Sequence, residues 1–265
     1  MDRSSIDLGR LNLPEFAPGS VWLAGAGPGD PGLLTALALH ALEVADHIVY
    51  DALVDPRILA LARPDAALEY AGKRGGRPSP LQADISTRLI ALARRGNRVL
   101  RLKGGDPCVF GRGGEEALAL ARAGVLFRIV PGITAGIGGL AYAGIPVTHR
   151  DVGSALTFVT GHDSAGAVPA VDWEAIARGS PVIVLYMSSR HLDRIAERLI
   201  AGGRSPSEPV AIVSRAATSA QRVLLTTLAD SSSAARAAAI EAPTIVAIGE
   251  IVRLRAELDW WDRES

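Results

Sequence analysis

Residues 99–116 read VLRLKGGDPCVFGRGGEE, and their character changes twice. Val99-Leu100-Arg101-Leu102 has the short apolar run of a buried strand. Lys103, Gly104, Gly105, Asp106 and Pro107 then turn to glycine and charge, and Gly111, Gly113 and Gly114 surround Arg112. Glu115 and Glu116 open a helical pattern, where carboxylates meet the positive end of the helix dipole. Strand, glycine loop, helix is the order in which an open α/β protein presents a ligand site, at the carboxyl ends of its strands. Five glycines fall within the eleven residues Gly104–Gly114, bracketing Asp106 and Arg112, which is more than a tight turn requires. Glycine lets main chain come close to a ligand and reach positive φ without a steric cost.

The same alternation extends outward. Upstream, Val21–Ala24 is a strand followed by the loop Gly25–Gly32 and a helix over Leu33–Ala45. Ile48–Tyr50 is a strand ending at Asp51, Pro56–Ala62 a short helix, and Ala67–Ala71 a strand leading into Lys73-Arg74-Gly75-Gly76-Arg77. Leu81, Ile85, Leu89 and Leu92 give Pro80–Arg95 one apolar helical face, and Gly96 stops it. Downstream come a helix over Gly114–Ala123, a strand over Phe127–Val130 and a Gly/Ala-rich helix over Ile133–Tyr142. This pattern predicts a mostly parallel sheet with helices on both faces.

A domain boundary is expected near Arg150. Beyond it, strands are predicted at Leu156–Thr160, Val182–Tyr186, Val210–Val213, Arg222–Leu228 and Thr244–Ile248, and helices at His191–Ala201 and Ser231–Ala239. A terminal amphipathic turn or helix covers Arg253–Trp260. The strand in the 220s lacks a helix before it, so the second sheet is expected to be mixed. The plan is a flexible extension over 1–19, an N-terminal α/β domain over 20–150 and a C-terminal α/β domain over 151–260.

Composition narrows the function classes. The chain has 265 residues, 48% of them apolar, so a sizeable core is available. Lys plus Arg and Asp plus Glu are 28 each, so no global basic field exists to hold nucleic acid. An anionic partner needs a local cluster, for which Lys73, Arg74 and Arg77 are candidates. The basic residues are mostly Arg, suited to bidentate carboxylate contacts. Cys108 is the only cysteine, which excludes an intrachain disulfide and a cysteine-based zinc site. The five histidines show no HExxH spacing, so no metal site is expected. No apolar run approaches the roughly 18 residues of a membrane span, and no signal-peptide core is evident, so a cytoplasmic location is expected.

Several motifs have two readings. Counting from Gly25, a GxGxxG fingerprint would need glycine where Asp30 stands, and Pro28 interrupts the turn. No GxxxxGK[ST] occurs. The loop therefore fits a ligand without phosphate, and a nicotinamide-dependent dehydrogenase is disfavoured. Asp51, at the end of an apolar strand, reads as a helix cap or turn former as readily as a catalytic carboxylate. Cys108 reads as a small apolar filler rather than a nucleophile. Met187, at a strand end, either packs in the core or faces a ligand ring.

Taken in order, GAGPGDPGLLT, ALEVAD, VYD, GKRGG, RLKGGDPCVFGRGGEE, VPGITA, AYAGIPVTHRD and TGHD resemble the tetrapyrrole (precorrin) methylase family, and within it the uroporphyrinogen-III C-methyltransferases in their single-function form. The resemblance runs from about Ser20 to Leu258. It implies the two-domain fold of class III S-adenosyl-L-methionine methyltransferases, with the active site in the interdomain cleft and a homodimeric assembly. The reaction it implies transfers two methyl groups to ring positions 2 and 7 of uroporphyrinogen III, giving S-adenosyl-L-homocysteine and precorrin-2, a product that feeds sirohaem, cobalamin or haem d1 synthesis. No metal is implied. Alternatives are another precorrin methyltransferase, which GRGGEE and GIPVTHRD argue against, and a non-enzymatic tetrapyrrole carrier, which Asp51, Lys73 and Arg112 argue against.

The resemblance also assigns residues. Pro28, Gly104, Gly105, Asp106, Val109, Thr134 and Ala135 are expected to hold the methyl donor, with Met187 and Ala216 contacting its adenosine part. Asp51 matches the family's proposed proton acceptor and Lys73 its proton donor. Arg112, Glu115 and Arg150 match residues at the tetrapyrrole, with Arg74 and Arg77 as further partners for its carboxylates. Arg112 is also a proposed base, a role that an arginine pKa above about 12 opposes. Two departures stand out: Cys108 replaces a common Phe, and Ser214–Thr218 replaces a turn that usually contains glycine.

Overall fold

The computed structural model describes residues 8–72, 82–163 and 165–261. Its contacts divide the chain into two compact units, Met1–Thr134 and Ala135–Ser265.

The first unit is built on five parallel strands: β1 (Val21–Gly25), β2 (His47–Tyr50), β3 (Ala67–Tyr70), β4 (Val99–Lys103) and β5 (Phe127–Val130). Their order is β3-β2-β4-β1-β5. Helices α1 (Ala36–Val44), α2 (Pro56–Leu59), α3 (Gln82–Arg94) and α4 (Gly113–Arg122) make the crossovers. β1 and β4 are buried at every position, as expected of parallel strands covered on both faces. Trp22, Ala24, Leu100 and Leu102 enter one core with Leu42 of α1 and Ile58 of α2. Val21, Leu23 and Val99 enter the other, with Leu89 of α3 and Leu120 of α4. The crossover from β1 runs towards β3 and that from β4 towards β5, so the carboxyl ends of β1 and β4 flank the point where the winding reverses, the usual ligand position in such sheets.

The segment expected to be a mobile extension is anchored over its last residues. Phe16 is 3% exposed and stacks on Trp22 with ring centroids 4.5 Å apart. Its carbonyl accepts from Arg98 Nε at 2.9 Å, and Gly19 N–H donates to the Asn97 carbonyl at 3.1 Å. Burying one large aromatic offsets the ordering of the short polar run around it. Residues 1–7 lie outside the described chain.

The second unit contains α5 (Ala135–Tyr142), β6 (Leu156–Thr160), α6 (Trp173–Gly179), β7 (Val182–Tyr186), α7 (Leu192–Ala201), β8 (Pro209–Ser214), β9 (Arg222–Thr227), α8 (Ser231–Ala237), β10 (Thr244–Ile248) and α9 (Arg255–Leu258). The sheet order is β6-β7-β10-β8-β9. Only the β6–β7 pair is parallel, so the sheet is mixed, as the sequence predicts. Helix α6 is absent from the sequence reading: it is short, and only Trp173 and Ala177 point inward. The division before α5, rather than near Arg150, has a local cause. Gly136 N–H donates to the Tyr186 hydroxyl at 2.9 Å, and Gly139 lies so near Ala216 that an added Cβ would stand 2.6 Å from its methyl. The small residues of α5 seat it on this unit's own strands. Among the described residues, no helix is long and apolar enough to cross a membrane.

Candidate active site

Three strand exits of the first unit meet in bare main chain. Gly27 and Gly105 exchange backbone hydrogen bonds of 3.2 and 2.7 Å, joining the loops after β1 and β4. Gly105 has φ +66°, a left-handed conformation that suits glycine. A Cβ on Gly132, after β5, would stand 2.6 Å from the Gly25 Cα and closer still to the Gly105 carbonyl oxygen. Asp106 fastens the arrangement: Oδ1 accepts from Cys108 N–H at 2.7 Å and Oδ2 from Gly132 N–H at 2.9 Å. Each carboxylate oxygen keeps a further lone pair for a donor group. Pro28 and Val109 are half-buried beside these turns, and Thr134 is buried. Asp30, which spoils the dinucleotide fingerprint, caps the turn Pro31–Leu33 by accepting from Gly32 N–H at 2.7 Å. The cradle suits a ligand that brings ammonium or hydroxyl donors to a carboxylate and needs close main-chain approach, as the donor expected from the sequence does.

Asp51 follows β2 at the same edge and donates its N–H to the Leu102 carbonyl at 3.2 Å. Its carboxylate meets two cations that the sequence reading passed over. Arg101 Nη2 donates to Oδ1 at 2.5 Å and Lys103 Nζ to Oδ2 at 3.4 Å. Both cations also reach Glu116 Oε1, Arg101 Nε at 3.0 Å and Lys103 Nζ at 3.3 Å. Glu116 is 0% exposed, Arg101 1% and Lys103 3%. Glu116 therefore does more than open α4. The available signal was two cations two apart in an apolar strand, which places both on one face.

Arg112 occupies the left-handed region at the start of α4, with φ 59°. Its guanidinium grips Glu115 through two hydrogen bonds, of 3.0 and 2.7 Å. Glu115 holds the guanidinium above its ordinary pKa, and Arg112 holds the Glu115 carboxyl below its own. These two expected tetrapyrrole residues are thus mutual partners on the surface. Arg150 is exposed in the turn between His149 and Gly153, whose backbones exchange bonds of 2.9 and 3.0 Å. Lys73, Arg74 and Arg77 lie outside the described residues.

Cys108 is exposed rather than an apolar filler, and local burial followed by the Asp106 charge pushes its thiol pKa up. A raised pKa opposes a nucleophilic role. In the second unit, Met187 leaves β7 with φ 53° and is 43% exposed, so it is not core packing. Ala216 is 7% exposed and is flanked by Arg215 at φ 48° and Ala217 at φ 57°. The chain thus makes this turn without glycine. Uncommon backbone angles at non-glycine residues gather at functional positions; among the described residues Phe110, Arg112, Met187, Arg215 and Ala217 lie on or beside the expected site positions, whereas Asn12 and Ala239 do not. Ala135 opens α5.

Comparison with known proteins gives a consistent result. Residues 20–231 match the tetrapyrrole (corrin/porphyrin) methylases. A uroporphyrinogen-III C-methyltransferase from Sinorhizobium sp. is 67% identical over 249 residues, covering 94% of this chain and 89% of that protein. Siroheme synthase 1 of Yersinia enterocolitica is 47% identical over 93% of this chain, which spans about half of that longer protein, 52% of its length. A crystal structure of the uroporphyrin-III C-methyltransferase of Thermus thermophilus complexed with S-adenosyl homocysteine is 41% identical, with a TM-score of 0.76 over 89% of this chain and 99% of that one. With a matching sequence, two matching sheets and a glycine cradle at the strand exits, the chain belongs to the tetrapyrrole (corrin/porphyrin) methylase family.

Proposed function

We propose that the chain transfers methyl groups from S-adenosyl-L-methionine to ring carbons 2 and 7 of uroporphyrinogen III, giving precorrin-2. The observation that carries this reading is the bare-glycine cradle with Asp106 at the carboxyl ends of β1, β4 and β5. The 67% identity to a uroporphyrinogen-III C-methyltransferase supports the choice of acceptor. When bound, the donor supplies an electrophilic sulfonium methyl group. Gly104, Gly105 and Pro28 pass along it as main chain with little side-chain bulk, and Asp106 accepts from its ammonium or ribose hydroxyls. Val109, Thr134 and Ala135 line the same seat, and Met187 and Ala216 contact the adenosine part.

At the acceptor, Arg112, Glu115 and Arg150 bind and orient the macrocycle through its carboxylates and ring N–H groups. Asp51 takes the proton that a pyrrole nitrogen loses when the ring carbon gains its methyl group, and Lys73 returns a proton. Arg112 acts through its charge, because Glu115 raises its proton affinity further and so opposes a base role. Positioning and proton management of this kind are what such a reaction asks of its protein.

Incubating the purified protein with S-adenosyl-L-methionine and uroporphyrinogen III tests the assignment. It predicts two S-adenosyl-L-homocysteine per precorrin-2, and absence of methylated product would overturn it. Rates unchanged by EDTA are expected if no metal takes part. Light scattering is expected to give twice the 27.6 kDa chain mass if the protein is a homodimer.

A further inference from the structure

Arg101, Asp51, Lys103 and Glu116 form a closed circuit in which cation and carboxylate alternate. Arg101 reaches Asp51 Oδ1 at 2.5 Å, Lys103 reaches Oδ2 at 3.4 Å, and both return to Glu116 Oε1 at 3.0 and 3.3 Å. Arg101 also donates to the Val49 carbonyl at 3.4 Å. Three members are buried almost completely; only the Asp51 side chain reaches solvent, at 29% exposure. We propose that Arg101 and Lys103 are positioning residues that fix the Asp51 carboxylate at the substrate edge, and that Glu116 balances the second buried cation. The inference rests on the proton-acceptor role assigned to Asp51 above.

Two physical arguments support it. Buried ion networks desolvate every member, and well-packed apolar replacements are often as stable or more so. Stability alone therefore gives little reason to keep four charges between a central strand and its helix. The geometry is also directed. Arg101 and Lys103 stand two apart on one face of β4, so each takes a different oxygen of the same carboxylate. With both oxygens held and the Asp51 N–H on the Leu102 carbonyl, the side chain keeps one orientation, and it is the member of the circuit that solvent reaches. The formal charges of the four side chains sum to zero. Without Glu116, two cations would face Asp51 alone and the circuit would carry an uncompensated buried positive charge.

The test compares Lys103→Met, Glu116→Gln and the double variant, with kcat normalised to folded protein. Each single variant is expected to lower kcat by about 100-fold, the scale of a misplaced reacting group. Affinity for S-adenosyl-L-homocysteine and the KM for uroporphyrinogen III are expected to stay within about twofold, since neither ligand's seat is altered. The double variant restores charge balance and is expected to recover kcat about tenfold over either single. Singles with wild-type kcat, or a double whose loss is the product of the two singles, would overturn the proposal. Should Glu116→Gln fail to fold, Arg101→Lys carries the test, with a lowered kcat at unchanged donor affinity expected and an unchanged kcat overturning it. Asp51→Asn separates the layers. If it keeps full kcat, the proton-acceptor reading fails; if it loses kcat while the circuit variants do not, only the positioning role fails.

Discussion

Gly132 carries a large constraint for a residue with no side chain. The three nearest atoms that a Cβ there would meet all belong to the backbone of Gly105 or Gly25, so no rotamer change relieves the clash. Gly132→Ala is expected to cost about 1–3 kcal/mol of stability, the usual range for overpacking. It is also expected to weaken S-adenosyl-L-homocysteine binding, because the Asp106–Gly132 hydrogen bond must shift with the loop. Denaturation and calorimetry read the two effects separately, and unchanged affinity at reduced stability would place the nucleoside elsewhere. Arg112 invites the opposite kind of change. Glu115 already occupies its two-pronged face, so Arg112→Lys retains the charge and loses the fork. The expected outcome is a KM for uroporphyrinogen III raised about tenfold, the scale of one lost charge-assisted bond. The pH dependence of kcat is expected to stay in place; a displaced alkaline limb would restore arginine as the base.

The elements join through charges that their own periodicity does not reveal. Glu69 on β3 accepts from His47 on β2 at 3.0 Å and from Arg88 on α3 at 2.8 Å. The Arg88 hydrogen bond, opposed by burial and assisted by His47, holds the Glu69 carboxyl below its ordinary range. A lowered folded-state pKa stabilises the fold above the unfolded-state value, and that stabilisation is lost as pH falls through the folded value. Because these side chains are partly exposed, solvent screening limits the effect to about 0.5–1 kcal/mol. Glu69→Gln is therefore expected to be slightly less stable than wild type at pH 7. The gap should close below the ordinary glutamate range, as urea titrations at several pH values would show; a gap that widened in acid would reverse the sign. Most strands were legible as apolar runs closed by glycine, proline or charge, as in Val99–Lys103 before Gly104. Helix α6 was not, because two inward residues set no period. The ion circuit was legible only in part, as two cations two apart in β4, because its carboxylates come from the residue after β2 and from α4 and meet those cations only after folding.

At the scale of the molecule, 28 basic and 28 acidic residues cancel, so no long-range field draws in a substrate that carries eight carboxylates. Recognition of that macrocycle then rests on contacts at short range, and Arg112 and Arg150 are both exposed. The sequence showed this much directly, since charge balance is a count, whereas which guanidiniums are committed elsewhere is a matter of folding. Arg101 is enclosed with Glu116, and Arg204 lies between Glu208 and two backbone carbonyls. Salt separates the two ligands. Raising ionic strength from about 0.1 to about 1 M shortens the screening length from about 10 to about 3 Å. Exposed guanidinium–carboxylate contacts weaken under that change, while main-chain contacts in the glycine cradle do not. The KM for uroporphyrinogen III is thus expected to rise about tenfold, the loss of roughly 1.4 kcal/mol of surface pairing. The KM for S-adenosyl-L-methionine is expected to move by less than about twofold, because Asp106, the carboxylate proposed to meet it, is half-buried. Equal sensitivity of both constants would mean that the donor too is held by exposed charge, and the division between a main-chain seat and a guanidinium seat would have to be abandoned.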